Sequence, residues 1–256
     1  MLTIDRVSKQ FGSFLAVNDI SFDVRPAEIL ALVGESGSGK TTVGRIIAGL
    51  EDKSAGVITM KGQALPDRYG KSEFRVWGKR IQMIFQNPLG ALNPFFSSAD
   101  VLAEALRFSG KKVTDAAIDG WLAEVGLQSF HRHRLPHQLS GGQRQRLVIA
   151  RALCMEPDLI VCDEPVSALD VSIQAQILAL LKRLRDEKGV SLLFITHDLN
   201  VVRQIADRVL VMNRGVRVEL ADTATVFENP SHDYTRRLLE ACPVPEFHAK
   251  HTESTL

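Results

Sequence analysis

One segment constrains this chain more than any other. Gly34-Glu35-Ser36-Gly37-Ser38-Gly39-Lys40-Thr41 follows the apolar run Ile29–Val33 and precedes a stretch of helical spacing that reaches about Ala48. Glycines in such a loop let backbone N–H groups turn inward and cradle phosphate oxygens. A helix that starts directly after the loop adds a favourable field for anions. Lys40 can reach the β- and γ-phosphates of a ligand held there, and the Thr41 hydroxyl can ligate Mg²⁺. The motif therefore demands a strand that ends in a loop and returns as a helix.

The rest of the chain supplies that context. Leu2–Lys9 and Ser21–Val24 read as short strands. Val57–Met60, Ile81–Phe85, Leu159–Cys162, Leu192–Ile195 and Val209–Met212 read as further strands. Helical spacing marks Gln143–Leu153, Val171–Arg185 and Leu199–Ile205. Strands alternating with helices predict a mostly parallel sheet covered on both faces, with ligands at the carboxyl ends of the strands. Asp67–Arg80 reads as a polar surface loop or short helix. Between about Asn87 and His137 only helical spacing is visible, at Val101–Phe108 and Ala116–Val125. The expected division is one domain over 1–256: core at 1–86 and 138–228, helical insert at 87–137, and a tail motif at 229–256. The tail after Pro243 is polar and is expected to fray.

Composition narrows the function classes. The chain has 256 residues, with 31 Lys+Arg against 30 Asp+Glu and a net charge of +1. That balance gives no support to nucleic-acid binding. The basic run Arg68, Lys71, Arg75, Lys79 and Arg80 reads as a solvated face. Cys154, Cys162 and Cys242 form no CxxC pair, so disulfides are not expected, as suits a reducing cytosol. MLTIDRVSKQFG has no apolar core of a signal peptide, and no stretch approaches 18 apolar residues. His131, His133 and His137 lie among Arg132 and Arg134, which opposes a metal site.

Two further elements carry chemistry. Leu159–Cys162 is an apolar strand that ends in Asp163 and Glu164. Asp163 is placed for the Mg²⁺ shell, and Glu164 for orienting or deprotonating an attacking water. Leu139-Ser140-Gly141-Gly142-Gln143 opens the helix that carries Arg144, Arg146 and Arg151. It is either an anion-binding helix start or an ordinary N-cap.

LSGGQ, in order after the phosphate loop and before the acidic strand, resembles the signature of ABC ATPases. The resemblance extends along nearly the whole chain. It implies an α/β fold: a P-loop ABC ATPase core with a mostly parallel sheet, an N-terminal antiparallel β region and a helical insert subdomain. It implies ATP and Mg²⁺ as ligands. It also implies that Ser140, Gly141, Gly142 and Gln143 contact the ATP of a partner subunit. Gln86 resembles the Q-loop glutamine, which touches Mg²⁺ or water. Ser167-Ala168-Leu169-Asp170 resembles the D-loop at the dimer interface. His197, in FITHD, resembles the switch histidine that holds the γ-phosphate. Phe11 resembles the aromatic that stacks on adenine, a position more often Tyr, with Phe14 as the alternative. With Thr42, the phosphate loop completes the nucleotide-contacting set.

Other segments resemble one group within that family, the oligopeptide, dipeptide and nickel importer ATPases. They are Met83-Ile84-Phe85-Gln86-Asn87-Pro88, Ala91-Leu92-Asn93-Pro94, the run Cys162–Gln176, and Asn229-Pro230-Ser231-His232-Asp233-Tyr234-Thr235 followed by Leu238-Leu239. Asp233 stands where that group usually has Pro. Many members carry a Cys-rich extension linked to an iron–sulfur cluster. Only Cys242 lies in this region, so no cluster is expected. The implied partners are a second ABC ATPase subunit, two transmembrane permease subunits and a periplasmic or lipid-anchored solute-binding protein. The implied location is the cytoplasmic face of the cell membrane, with 87–96 as the contact to the permeases. The alternative is an ABC-type ATPase of a soluble phosphonate-degrading assembly.

Overall fold

The structure is a computed structural model and describes residues 1–241. In chain order the strands are β1 (Leu2–Phe11), β2 (Phe14–Val24), β3 (Ile29–Val33), β4 (Ala55–Met60), β5 (Gln63–Ala64), β6 (Ile81–Ile84), β7 (Leu159–Asp163), β8 (Ser191–Ile195), β9 (Arg208–Asn213) and β10 (Val216–Asp222). The helices are α1 (Lys40–Ile47), α2 (Lys71–Arg80), α3 (Ser98–Ser109), α4 (Asp115–Glu124), α5 (Gly141–Leu153), α6 (Val171–Lys188), α7 (Leu199–Ile205), α8 (Thr223–Glu228) and α9 (Asp233–Glu240). The larger sheet runs β10-β9-β3-β8-β7-β6. Its pairs from β9 to β6 are parallel, and β10 joins the edge antiparallel to β9. The smaller sheet, β2-β1-β4-β5, is antiparallel throughout.

The central strands β3, β7 and β8 are buried at every residue, as strands covered on both faces must be. One core cluster lies between this sheet and α3 to α6. A second fills the space between the two sheets around α1. Cys154 and Cys162 are free and buried, as small core residues, and burial pushes both thiols up, Cys154 to about 12. Cys242 and the tail after Pro243 lie outside the described residues. Among the described residues no helix is long and apolar enough to cross a membrane.

Several elements exceed the sequence reading, each for a local reason. β2 begins at Phe14 rather than Ser21 because it forms a hairpin with β1. Bulges hide its alternation: Arg6 and Asp19 take left-handed φ of 48° and 50°, and their N–H groups donate to Ser21 Oγ and Ser8 Oγ at 2.8 and 2.9 Å. The segment before Arg80 is a true helix, held by the buried Trp77 and by Glu73, whose carboxylate accepts from Gly70 N–H at 2.9 Å. β10 was missed, although Arg214 and Gly215 make a positive-φ turn and Val216, Val218 and Leu220 alternate behind it. Between β6 and α5 the described chain contains only helical elements and loops.

Candidate nucleotide site

The carboxyl ends of β3, β7 and β8 converge on one cavity of about 760 Å³. Its wall takes in Gly34 to Gly37, Gly39 to Thr42, Gln86, Glu164 and His197. The loop between β3 and α1 can form only with glycine at its tightest points. Gly34 has φ 148°, and a Cβ there would lie 2.2 Å from the Met212 carbonyl oxygen. Gly39, the N-cap of α1, has φ 98°, and a Cβ there would meet the Ala16 carbonyl oxygen at 2.4 Å. No side chain caps α1, and no acidic residue occupies its first turn. Its leading N–H groups are therefore free for an anion.

Lys40 is buried. Its Nζ donates to the carbonyl oxygens of Gly34 and Glu35, both at 2.8 Å. Burial lowers its pKa, and Glu164, Asp163 and Glu35 oppose that shift. Among the described residues Lys40 makes no carboxylate ion pair; a phosphate would supply a direct counter-charge. Asp163 ends β7 and is also buried, and it accepts from the Thr41 hydroxyl at 3.0 Å. Burial pushes its carboxyl above the ordinary range, with the Thr41 hydroxyl acting the other way.

Glu164 is the hub of the site. Its φ of 48° is left-handed, a conformation that costs a β-carbon residue about 1 kcal/mol. Its N–H is nonetheless satisfied, donating to the Ile195 carbonyl at 2.9 Å. One carboxylate oxygen accepts from Gln86 Nε2 at 2.8 Å, and the other meets His197 Nδ1 at 2.8 Å. A carboxylate oxygen accepts, which gives Nδ1 the donor role in this contact. Gln86 follows β6 by two residues rather than ending it.

The signature lies elsewhere. Ser140 is the N-cap of α5: its Oγ accepts from Gln143 N–H at 3.3 Å, and Gln143 Oε1 accepts from Ser140 N–H at 2.9 Å. A Cβ on Gly142 would lie 2.6 Å from Ile173 Cγ2, and one on Gly141 would lie 3.3 Å from Leu169 Cδ2. The glycine pair thus seats α5 against α6 and the segment before it. None of Ser140, Gly141, Gly142 and Gln143 lines the phosphate cavity. The arginines of α5 are committed internally: Arg144 Nε to Leu139 O at 3.0 Å, Arg146 to Val125 O at 2.6 Å, and Arg151 to Ala91 O. Asp170 does not reach the cavity either. It caps α6, where Ile173 N–H at 3.1 Å and the Ser172 hydroxyl at 2.9 Å hold its carboxyl below the usual range.

The expectation for the adenine-stacking aromatic shifts in detail. Phe14 lines the cavity and Phe11 does not. The two are cross-strand partners at the hairpin end, and Lys9 Nζ sits 4.7 Å from the centre of the Phe11 ring. In the insert, Phe95 is 87% exposed, whereas Phe96 packs against the core. His131 is buried, with Nδ1 3.1 Å from Gln128 O and Nε2 3.2 Å from Gln143 Nε2. Among the described residues no group of three or more His, Cys, Asp or Glu side chains could hold a metal.

Residues 17–167 match the ABC transporter family profile, and residues 218–255 match the oligopeptide/dipeptide transporter C-terminal region. This chain belongs to the ABC transporter family. Its cassette binds and hydrolyses ATP. Oligopeptide transport ATP-binding protein OppF of Streptococcus pyogenes serotype M1 is 49% identical over 237 residues, spanning 91% of this chain and 77% of that one. OppF of Bacillus subtilis (strain 168) is 44% identical over 254 residues, spanning 96% and 83%. Among solved structures, the ATP-binding cassette MJ0796, dimeric in a post-hydrolysis state with ADP and Pi, superposes with a TM-score of 0.78. It is 27% identical, over 87% of this ABC ATPase and 99% of that chain. CbiO1 of Clostridium perfringens, part of the ABC transporter complex CbiONQ, gives 0.79 at 26% identity, over 89% and 90%.

Proposed function

We propose that this chain is the ATP-hydrolysing subunit of an oligopeptide or dipeptide importer and forms half of a nucleotide-sandwich dimer. The observation that carries the dimer is the separation within one chain. The phosphate loop, Gln86, Glu164 and His197 share a cavity that Ser140–Gln143 do not reach. The second chain, identical or homologous, brings its own signature to this ATP and receives the signature of this chain in return. Closure by a ligand that binds only the closed state is a population shift.

Each residue has a defined task. The amides of the loop from Gly34 to Thr42, with the free start of α1, bind the phosphates, and Lys40 supplies the charge. The ring of Phe11 or Phe14 takes the adenine. Asp163, Thr41 and Gln86 offer the hard oxygen ligands that suit Mg²⁺, which takes few protein ligands and fills its shell with phosphate oxygens and water. The buried Asp163 carboxylate, raised in pKa and met by a hydroxyl, fits a cation there. Bound there, Mg²⁺ would neutralise charge on the phosphates. Glu164 orients the attacking water and accepts its proton; in the structure its two oxygens are engaged by Gln86 and His197. Either Gln86 or His197 turning to the γ-phosphate would free one oxygen for that water. Hydrolysis removes the γ-phosphate bridge, and the dimer opens.

The partners follow from the same reading. Two transmembrane permease subunits dock at the insert and Q-loop, where Leu89 and Phe95 are exposed apolar groups. A periplasmic or lipid-anchored solute-binding protein delivers the peptide. The chain then sits on the cytoplasmic face of the membrane. The relatives named above are oligopeptide transport proteins, which does not favour the soluble phosphonate-degrading alternative. Affinity purification from gently solubilised membranes, with mass spectrometry of what accompanies the chain, tests this. Permease subunits and a second cassette are expected. Soluble enzymes alone would overturn the transport role and leave the ATPase standing.

A further inference from the structure

Two apolar side chains in the cavity wall come from distant parts of the chain. Phe14 opens β2, and Leu238 lies in α9. Leu238 belongs to the C-terminal motif that resembles the oligopeptide group, but nothing in that motif points to a nucleotide contact. It lies within the span matched by the transporter C-terminal profile and outside residues 17–167 of the ABC transporter match.

The placement of α9 is specified by several contacts. The Glu219 carboxylate, on β10, accepts from Ser231 N–H at 2.8 Å and from His232 N–H at 3.3 Å, which fixes where the helix begins. His232 Nδ1 then caps it by accepting from Tyr234 N–H at 3.0 Å. Tyr234, only 6% exposed, packs among Ala31, Val33, Val209 and Val211, on the strands beneath the phosphate loop. Its hydroxyl oxygen accepts from Glu35 N–H at 3.4 Å. Leu238 stands four residues after Tyr234, on the same helical face, and so reaches the cavity from that anchor.

We propose that α9 is a working wall of the nucleotide site, with Leu238 and Phe14 contacting the nucleoside part of the ligand and Tyr234 holding the first peptide of the phosphate loop. The inference rests on the assignment of this cavity to ATP. Phosphates take the loop amides and Lys40, so apolar side chains in the same cavity serve the base and ribose. Leu238 is then a binding residue, and Tyr234 a positioning residue that acts through the Glu35 amide.

The test uses the full chain with ATP and, separately, inorganic triphosphate, both in EDTA to prevent turnover. Dissociation constants and Tm are measured together. Leu238 also packs against the core, so Leu238→Ala should lower Tm as Leu239→Ala does, but of the two it alone should raise the ATP Kd, about fivefold, the scale of losing a small apolar contact, with the triphosphate Kd unchanged. Leu239→Ala, which packs into the core but does not line the cavity, should lower Tm and leave both constants unchanged. Tyr234→Phe keeps the ring and removes the hydroxyl, and should weaken ATP and triphosphate alike, about twofold. An unchanged ATP Kd in Leu238→Ala, or a loss matched by triphosphate or by Leu239→Ala, would overturn the wall. ATP binding that survives Lys40→Ala would overturn the cavity assignment itself, and the inference with it.

Discussion

The two glycine-rich helix starts of this chain meet opposite fates. Before α1, glycine at 34 and 39 permits a loop whose amides and ammonium are left facing a cavity, with no side chain capping the helix. Before α5, the glycine pair permits tight packing on Ile173 and Leu169, and a reciprocal Ser140–Gln143 cap closes the helix on itself. The first leaves its amides open to an anion. The second is a finished structural element that presents Ser140 and Gly141 on the surface. The contrast supports the proposed pairing of two chains: Ser140–Gln143 lie outside the cavity of the phosphate loop in one copy.

The comparison breaks most severely at Glu164. Glu164→Gln keeps the shape and the contact to Gln86 but removes the proton acceptor. Phosphate release should fall about a thousandfold while ATP affinity is kept, as expected for loss of a general base. Full turnover in that variant would sink the role given to Glu164. On the signature side, Ser140→Arg places bulk on an exposed helix start without touching the open cavity. Turnover in the assembled complex should fall about a hundredfold, the scale of losing a positioned donor, while ATP binding to the isolated chain is unchanged. A matching loss of binding in the isolated chain would mean that the two halves do meet within one copy.

Smaller effects sharpen the contrast. Phe14→Ala should weaken ATP about fivefold, the size of a lost ring contact. Phe11→Ala, whose ring is covered by Lys9 and lies outside the cavity wall, should weaken it less. Equilibrium binding of both variants separates the two aromatic candidates, and a larger loss in Phe11→Ala would reverse the order.

The smallest effect concerns Asp170, which caps the helix on which the signature rests. Ile173 N–H and the Ser172 hydroxyl hold its carboxyl below the ordinary range. A depressed folded-state pKa gives stability that is present above the unfolded value and lost as pH falls through the folded one. Asp170→Ala should lower Tm by about 3 °C near neutral pH, and the gap to wild type should close below about pH 4. A gap independent of pH in thermal melts would contradict the charge-dependent part of the cap.

Much of this was legible in the sequence because the chemistry dictates local spacing. The phosphate loop, the Asp163–Glu164 strand end and the alternation of strands and helices needed only neighbouring residues. What was not legible depends on distant contacts or on irregular backbone. The start of β2 was hidden because bulges at Arg6 and Asp19 break its alternation. Phe14 could not be separated from Phe11 without knowing that a hairpin pairs them and that only one borders the cavity. The order Gln86–Glu164–His197 joins three loops, and no spacing rule shows that one carboxylate would bridge the other two side chains. Leu238 in the cavity wall was the least accessible, since its place depends on Glu219 and Tyr234 fixing α9 against β3 and β9.

The most direct test is native mass spectrometry of the Glu164→Gln complex, purified from membranes in ATP and Mg²⁺. The expected particle holds two cassettes, this chain with a second copy or a homologue, with ATP trapped between them on permease subunits. A particle that traps ATP with a single cassette would contradict the composite site, because one chain would then be completing the nucleotide on its own.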